Sequence, residues 1–385
     1  MRSQLDSFVD ALLPVFATLA ALGVGAIMLL ILRVSPLEAY GALWEGAFGS
    51  TNAIAETLVK SVPLLLVGLG ICIAFRASVI NIGAEGQMII GGLMATQIGL
   101  VFTDLPGWVV ILMAIFAGFI GGALWGGIPG ALKAYFNVNE ILSTVMMNAI
   151  AVQIMNFMLR GPMIDPAQLE KASKIPQTAR LAEAFHLPRL APTRLHLGFV
   201  IAIALAILVY ILLWRTTLGY RIRAVGQNPH ASRYGGIPVR RRIVTALLLS
   251  GALAGIAGAI QVYGVNYRMI TDGSSTGFTG GAGFNGIVAA LFGQLHPIGT
   301  IPASIFFGAL LVGANKMQRA VQIPSALIGA LNGLVVIFVV SSEKWRRERQ
   351  KQRLSIESDV VNMGESPHEP PKTDKGASTS EKEIA

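Results

Sequence analysis

A glycine-rich string of the form G-x-G-x-x-G is made by Gly281, Gly283 and Gly286. In a dinucleotide-binding unit this spacing follows a buried strand and lets the backbone approach a pyrophosphate. Here the string opens an apolar segment, and no strand pattern precedes it. Close helix packing or a broken helix therefore explains these glycines better than a nucleotide site does.

The chain also has no loop with which to hydrolyse ATP. A phosphate-binding loop needs G-x-x-x-x-G-K-[ST], and no Gly-Lys pair occurs in the sequence. The histidines show no metal-ligand spacing, and no nucleophile with a paired base stands out; the histidines are His186, His196, His230, His296 and His368. We therefore predict no catalytic residue, no metal site and no cofactor bound by this chain.

Two acidic residues lie at predicted cytoplasmic ends of the apolar segments: Glu85, shortly after Asn81, and Glu140, directly after Asn139. They fit first-turn carboxylates stabilised by the helix dipole, with Asn as a possible N-cap. The alternative is that they face a pore or an energising subunit. Ion-driven carriers usually need an ionisable group near mid-membrane, and the apolar segments contain almost none. An ion-coupled secondary transporter is therefore disfavoured.

Uncharged polar side chains within the apolar segments, including Gln153 and Gln261, would be costly against lipid. We expect them to face the bundle interior, where they either bond a neighbouring helix or line a polar pathway. Thr144 and Asn148 are four residues apart and so share a helix face. The candidate pathway residues are Asn81, Glu85, Gln87, Gln97, Glu140, Thr144, Asn148, Asn285 and Asn332.

These residues must be positioned by membrane helices. Hydrophobic residues make up 53% of the 385 positions and charged residues 13%, whereas soluble domains have about 25% charged residues. Because a helix needs about 20 apolar residues to cross a bilayer, we predict an all-α, polytopic bundle of about ten transmembrane helices. The predicted spans are 11–32, 60–75, 86–102, 107–132, 141–159, 197–214, 243–263, 277–292, 298–315 and 325–340.

The net charge of +9 orients this bundle rather than indicating nucleic acid. Residues 215–242 hold seven Arg and no acidic residue, and residues 344–353 hold six cations against Glu348. Cytoplasmic segments are rich in Lys and Arg, so both should be cytoplasmic. The predicted organisation is a cytoplasmic N-terminus (1–10), a transmembrane domain (11–340) with an external loop (160–196), and a basic, then disordered, cytoplasmic tail (341–385).

Small residues indicate close helix packing. Gly118, Gly122, Gly126 and Gly130 recur every four residues, and Gly251, Gly255 and Gly258 repeat the pattern. The single cysteine, Cys72, lies in an apolar run and fits core packing. Glycine-rich segments after Asn81 and around Gly281 fall at similar places in two halves, which favours a duplicated architecture of two pseudo-repeated halves; inverted repeats are common among transporters.

Two stretches resemble a known family: AFRASVINIGAEGQMIIGG at 74–92 with NEILSTVMMNAIA at 139–151, and TTLGYRIRAVGQNPHASRYGGI at 216–237 with GFTGGAGFNGIVAALFGQLHPIGT at 277–300. They are similar to the branched-chain amino acid and simple-sugar class of ABC importer permeases, within it most closely to the nucleoside and simple-sugar permeases that work with basic-membrane-protein-type lipoproteins. The resemblance implies that residues 215–242 form a cytoplasmic loop that docks into the ATPase. Within this loop, residues 227–229 predict a turn before a short helix, and Gly235 with Gly236 predicts the stop of that helix. The residues that the resemblance assigns to coupling are Arg221, Arg223, Gly226, Asn228, Pro229, Ala231, Gly235, Gly236 and Ile237.

The resemblance also implies partners and cargo. A separate ATPase with tandem nucleotide-binding halves would bind ATP and Mg, a second permease would complete a heterodimer, and an extracytoplasmic lipoprotein would deliver substrate, received in part by the external loop. The expected function is import of a nucleoside or related sugar-containing solute across the bacterial inner membrane. A simple sugar of the ribose or galactose type, or riboflavin, is the alternative cargo.

Overall fold

The computed structural model describes residues 19–171, 174–190 and 192–324, with positions 330, 333, 334, 337, 338 and 341. Its regular elements in these ranges are helices, which confirms the all-α prediction. The helices are α1 (Leu19–Ile31), α2 (Pro36–Phe48), α3 (Thr51–Arg76), α4 (Ala84–Val101), α5 (Gly107–Phe136), α6 (Glu140–Arg160), α7 (Pro166–Leu169), α8 (Gly198–Arg215), α9 (Thr217–Gln227), α10 (Pro229–Tyr234), α11 (Val239–Ile260), α12 (Thr276–Thr279), α13 (Ala282–Phe292) and α14 (Pro297–Val321).

Within the described ranges, six helices are long and apolar enough to cross a membrane: α3, α5, α6, α8, α14, and α11 with its π-helical continuation to Asn266. They match six of the ten predicted spans. The span at 86–102 is α4, and the span at 277–292 is broken into α12 and α13. The N-terminus 1–10, most of the span at 325–340 and the tail after 341 lie outside the described residues, so the count of ten stays a prediction.

Helix α2 was not predicted from the sequence. Ser35 caps it and Pro36 occupies its first turn, but its 13 residues include Glu38 and Glu45, so it carries no 20-residue apolar signal. It packs on α14, where Glu45 pairs with Lys316 at 2.7 Å. A short helix that carries charges can be stable here because α14 covers one side of it.

Glycine contacts hold α5, α11 and α4 together. A Cβ on Gly122 of α5 would collide with the carbonyl oxygen of Gly251 of α11, and the reverse collision would also occur. Gly91 of α4 lies against Gly255 of α11, and Gly258 of α11 lies against the Met88 carbonyl of α4. The close approach predicted from the small-residue pattern is confirmed.

Helix α3 occupies the centre of this packing, because residues 61–74 are all buried. Cys72 is among them, with its Sγ 3.4 Å from the hydroxyl of Thr300 on α14. The interpretation of Cys72 as core packing is confirmed.

Helices α4 and α13 begin inside the bundle. After α3 ends at Arg76 the chain turns back inward, and Asn81 donates a 2.8 Å hydrogen bond to the hydroxyl of Ser250. Ser250 is about half way along the 28-residue helix Val239–Asn266, roughly 17 Å from its start at 1.5 Å per residue. Helix α4 thus begins at depth.

Helix α13 begins at depth as well, since its first turn meets Glu85 of α4. It starts directly after Gly280 and Gly281, whose positive φ angles of 63° and 76° suit glycine. The glycine-rich string is therefore a helix break, as predicted. The duplicated architecture stays a prediction.

Residues 160–196 cover one end of α11. They contain α7 and a 3₁₀ turn (Glu183–Phe185), and their backbone bonds to the segment after α11. The amide of Leu181 donates to the Tyr267 carbonyl at 2.8 Å, and the amide of Thr178 donates to the Met269 carbonyl at 2.9 Å. At this end α11 continues as a π-helix, Gln261–Asn266. π-helical turns are rare and often lie at functional sites.

Candidate functional site

Residues 215–242 fold into two short helices with defined ends. Thr216 caps α9 by accepting a 3.1 Å hydrogen bond from the amide of Gly219. Asn228 caps α10 by accepting from the amide of Ala231 at 3.0 Å, with Pro229 at the first helical position. The helix stops at Gly235, and Gly236 adopts a φ of 75°. The turn, short helix and stop expected from the sequence are confirmed.

The outer face of this segment is exposed. Tyr234, at the end of α10, is 96% exposed. A cleft of about 530 Å³ runs between α9 and α10. Six of the nine residues assigned to coupling line it: Arg221, Asn228, Ala231, Gly235, Gly236 and Ile237. Pro229 is exposed beside them, whereas Gly226 and Arg223 face the bundle.

The inner face of α9 packs on the point where the chain turns inward after α3. A Cβ on Gly226 would collide with the carbonyl oxygen of Arg76. The hydroxyl of Ser78 donates a hydrogen bond of 2.6 Å to the Gly226 carbonyl. The segment 215–242 therefore contacts the peptide that leads into the helix break.

Trp214, at the end of α8, joins four elements. The guanidinium groups of Arg76 (α3) and Arg223 (α9) lie 5.1 and 5.7 Å from its ring. The ring of His296, in the turn before α14, lies 5.0 Å away. Arg76 also donates to the Leu295 carbonyl at 3.3 Å. Cation–π contacts of this kind stabilise by about 0.5–2 kcal/mol each, so Trp214 ties α9 to three parts of the bundle.

The predicted pathway residues Asn81 and Gln87 are buried and bond each other. The Asn81 amide donates to the Gln87 side-chain oxygen at 2.9 Å, and Gln87 donates back at 3.1 Å. The Asn81 oxygen also accepts from the amide of Gly83 at 2.9 Å. Irregular backbone within a membrane requires such partners.

Thr144 and Asn148, on α6, hydrogen-bond to the backbone of the same helix break. Asn148 accepts from the amide of Gly86 at 2.8 Å and donates to the Ile82 carbonyl at 2.9 Å. The Ile82 amide lies 3.4 Å from the Thr144 hydroxyl. The shared helix face predicted for these two residues is confirmed, and it satisfies the backbone of residues 82–86.

Glu85 corrects the expectation that the bundle lacks an internal ionisable group. It is 1% exposed, and its Oε1 accepts a 2.9 Å hydrogen bond from the amide of Gly283 in the first turn of α13. The sequence placed Glu85 at the cytoplasmic end of a span, because the inward turn after Arg76 carries no local signal. Helix N-termini favour a carboxylate, and Glu85 lies at the N-termini of both α4 and α13.

The remaining candidates are more dispersed. Glu140, in the first turn of α6, pairs with Lys133 at 2.9 Å, and Asn139 caps that helix, as the simpler interpretation predicted. Asn285 is half-buried in the first turn of α13. Asn332 lies outside the described residues.

Gln97 on α4 and Gln153 on α6 are exposed on the surface of this chain. The expectation that both face its interior was wrong. Polar side chains on a membrane surface need a partner other than lipid, so these faces are candidates for a protein contact or an aqueous pathway.

Comparison with known proteins decides the family. Residues 53–340 match the family model described as a branched-chain amino acid transport system, permease component. The chain belongs to this permease family.

Curated relatives are similar along most of the permease. It is 36% identical to the guanosine ABC transporter permease NupP of Bacillus subtilis, over 86% of this chain and 93% of that protein. It is 33% identical to the glucose ABC transporter permease TsgB13 of Haloferax volcanii, over 87% and 88%. It is 30% identical to the nucleoside ABC transporter permease NupB of Lactococcus lactis, over 85% and 90%.

A second permease accompanies at least one of these relatives. The same Bacillus subtilis strain has another guanosine ABC transporter permease, NupQ, which is 30% identical to this chain over 66% of this chain's length. Permeases of this family are transport components rather than enzymes. Within the described ranges no group of three or more His, Cys, Asp or Glu side chains could hold a metal ion.

Sequence reasoning missed several residues of the permease's central contacts. Arg76 and Trp214 lie at ends of predicted spans and Ser78 lies between two spans, whereas Ser250 and Gly283 lie within spans. Their partners lie far along the chain: 148 residues separate Ser78 from Gly226, and 169 separate Asn81 from Ser250. No local pattern reports such pairs, although the glycine string marked the start of α13.

Proposed function

We propose that this permease is the membrane subunit of an ABC importer that carries a nucleoside across the bacterial inner membrane, with both termini in the cytoplasm. Two of its three most similar reported relatives are nucleoside or guanosine permeases. The positive-inside rule places the Arg-rich segment 215–242 in the cytoplasm. ATP and Mg bind to a separate ATPase rather than to this chain.

The observation that carries this proposal is the exposed α9–α10 segment seated on the start of the helix break. An ATPase that grips the cleft between α9 and α10 can push on Gly226. The force passes through the Ser78 bond and the Trp214 cluster into α3 and α4. Membrane orientation requires only the Arg residues of this loop. It does not account for the Asn228 cap and the Gly235 stop, which make α10 an ordered helix.

The pathway for a neutral, hydroxyl-rich solute needs amide and hydroxyl groups without excess fixed charge. We place it beside the helix breaks, where Asn81, Thr144 and Asn148 bond the backbone and Gln87 bonds Asn81, and along the exposed polar faces that carry Gln97. Moving residues 77–86 would rearrange all four of these bonded side chains together. A second permease would cover the opposite wall, as the existence of a paired relative suggests.

Uptake by the reconstituted transporter tests this function. We expect radiolabelled guanosine to enter vesicles that contain both permeases, the ATPase and the binding lipoprotein. Import should stop when the ATPase loses its catalytic carboxylate, even with a proton gradient imposed. Import that persists under that condition would exclude the ABC mechanism.

The same vesicles test the cargo. Because one relative is a glucose permease, glucose and ribose are the informative competitors. We expect a large excess of either sugar to leave guanosine uptake unchanged. Uptake of the sugar in place of the nucleoside would keep the mechanism and change the substrate.

A further inference from the structure

Five cationic side chains surround one cavity of about 450 Å³ on the permease. They come from α3, from the loop 160–196 and from the segment after the π-helix. They are Lys60, Arg180, Arg189, Arg194 and Arg268. The one carboxylate in the lining is Glu56. The cavity thus carries four more cationic than acidic side chains.

The charges in this cavity are weakly compensated. Arg194 approaches Glu56 at 3.9 Å, and the Arg194 side chain is 78% exposed. Within the described ranges, no other ion pair involves a cation of the lining. Like charges held together in one concavity repel one another, so an anion that enters would relieve this repulsion.

The wall of the cavity is an ordered structure. The guanidinium of Arg180 lies over the Tyr267 ring at 5.7 Å, and that ring stacks on His186 at 3.7 Å. The backbone bond from Leu181 to Tyr267 fixes the loop beside them. A planar guanidinium held in this way is pre-organised to bind a carboxylate through two hydrogen bonds.

The cavity lies at the opposite end of the bundle from the segment 215–242, which contains α9 and α10. On α3, Lys60 lines the cavity while Arg76 contacts α9, and their separation of 16 positions spans about 24 Å of helix. On α11, Val239 follows α10 closely, whereas the cavity begins beyond the far end, at Gly264. With α9 and α10 in the cytoplasm, the cavity opens to the exterior.

Orientation in the membrane gives no reason for these cations. The positive-inside rule favours Lys and Arg on the cytoplasmic side, and the loop 160–196 carries six cations against three acidic residues on the other side. Their placement around one cavity, rather than along the loop, calls for a binding role.

We propose that this cavity receives an acidic side chain of the extracytoplasmic binding lipoprotein and so docks it on the permease. This inference rests on the proposed importer function. The occupant is a protein carboxylate because Arg180, Arg189 and Arg194 are exposed at the end where that partner must approach, and because the lining presents charges rather than a wide apolar surface. The cavity is large enough for side chains but not for a folded domain.

Docking at this position is connected to the other end of the bundle through α11. Gly264 and Val265 in the cavity wall belong to the π-helix that continues α11, and the other end of α11 adjoins α10. One continuous helical element therefore joins the docked lipoprotein to the ATPase contact.

A titration with the lipoprotein tests the site. Vesicles containing the full transporter are given increasing concentrations of its soluble lipoprotein domain, and guanosine uptake is measured. For Arg180→Glu/Arg189→Glu we expect the half-saturating concentration to rise at least about tenfold, with uptake recovering at saturation. Arg180→Gln/Arg189→Gln should show a smaller rise. Arg319→Glu, which reverses one charge at the same end of the bundle but outside the cavity, should behave as wild type.

Two further measurements separate docking from a folding defect. The half-saturating lipoprotein concentration of the wild type should rise with KCl, because salt screens the attraction between the cavity cations and the lipoprotein carboxylate. The Glu variant lacks that attraction, so its half-saturating concentration should not rise with KCl. Exchanging a surface Glu of the lipoprotein for Arg should restore part of the affinity of the Glu variant.

The outcomes distinguish this inference from the importer function. Wild-type vesicles that take up no guanosine contradict the importer function. Wild-type uptake together with unchanged titrations of the cavity variants overturns the docking site alone. Variants that alter the response of uptake to inorganic phosphate, but not the lipoprotein titration, would show that the cavity takes a free anion instead.

Discussion

The hydroxyl of Ser78 donates a 2.6 Å hydrogen bond to the carbonyl oxygen of Gly226. The bond joins the last turn of α9 to the peptide through which the chain leaves α3 and turns into the bundle. From there residues 81–87 reach Ser250 on α11 and Asn148 on α6. A displacement of α9 therefore has a short, continuous route of packed and hydrogen-bonded atoms to the membrane interior.

Replacing Gly226 should break this contact selectively. In Gly226→Ala the new methyl would meet the Arg76 carbonyl, whereas in Gly41→Ala on α2 it would meet no atom within 4 Å. We expect the first variant to lose at least about tenfold in uptake, or about 1.4 kcal/mol, at unchanged membrane abundance. The second should transport normally. Equal uptake by both variants would contradict a role for the α9 contact.

Glu85 should contribute to stability through the N-terminus of α13. Glu85→Ala leaves the Gly283 amide without its partner at a buried position, which costs about 1–3 kcal/mol, so thermal unfolding in detergent should occur at lower temperature. Glu85→Gln retains an acceptor and should lose less. Glu45→Ala, which removes a surface pair with Lys316, should cost at most about 1 kcal/mol. A Glu85→Ala protein as stable as wild type would refute the assignment.

The contact between α5 and α11 should not tolerate a methyl group. Gly122→Ala forces backbones apart, at a cost typical of overpacking, about 1–3 kcal/mol. Gly41→Ala on α2 adds a methyl into open space and should stabilise by up to about 1 kcal/mol through helix propensity. Melting temperatures of the two variants should therefore shift in opposite directions, and a shift in the same direction would contradict the packing.

The contacts around His196, in the loop 160–196, should weaken in acid. Burial lowers the pKa of His196 to about 4, against about 6.5 in an unfolded chain. As pH falls from 7 toward 4 the unfolded chain binds a proton that the folded chain does not, so stability falls. We expect His196→Asn to flatten the fall in melting temperature between pH 7.5 and 5, and His230→Asn on exposed α10 to leave it unchanged. A wild-type protein that gains stability in acid would overturn this account.

Much of this architecture could be predicted from sequence where the signal is local. Runs of apolar residues gave the long helices, four-residue glycine spacing gave the α5–α11 contact, and Asn228-Pro229 with Gly235-Gly236 gave the limits of α10. Each depends on neighbours within a few turns of the same chain.

The inward turn after Arg76 could not be predicted in this way. Residues 77–83 resemble a surface loop, and their partners Thr144, Asn148 and Ser250 lie on other helices. For the same reason the sequence assigned Glu85 to a membrane surface. The basic cavity also escaped prediction, because its lining comes from three separate segments.

The central claim is that α10 is the contact through which an ATPase drives the permease. A photoactivatable cross-linker on Tyr234→Cys tests it, since the native Cys72 is buried and Tyr234 is 96% exposed. In actively transporting vesicles we predict an adduct with the ATPase subunit, identified by mass spectrometry, and none from Arg319→Cys at the opposite end. ATPase adducts from Arg319→Cys, or none from Tyr234→Cys while transport continues, would contradict the claim.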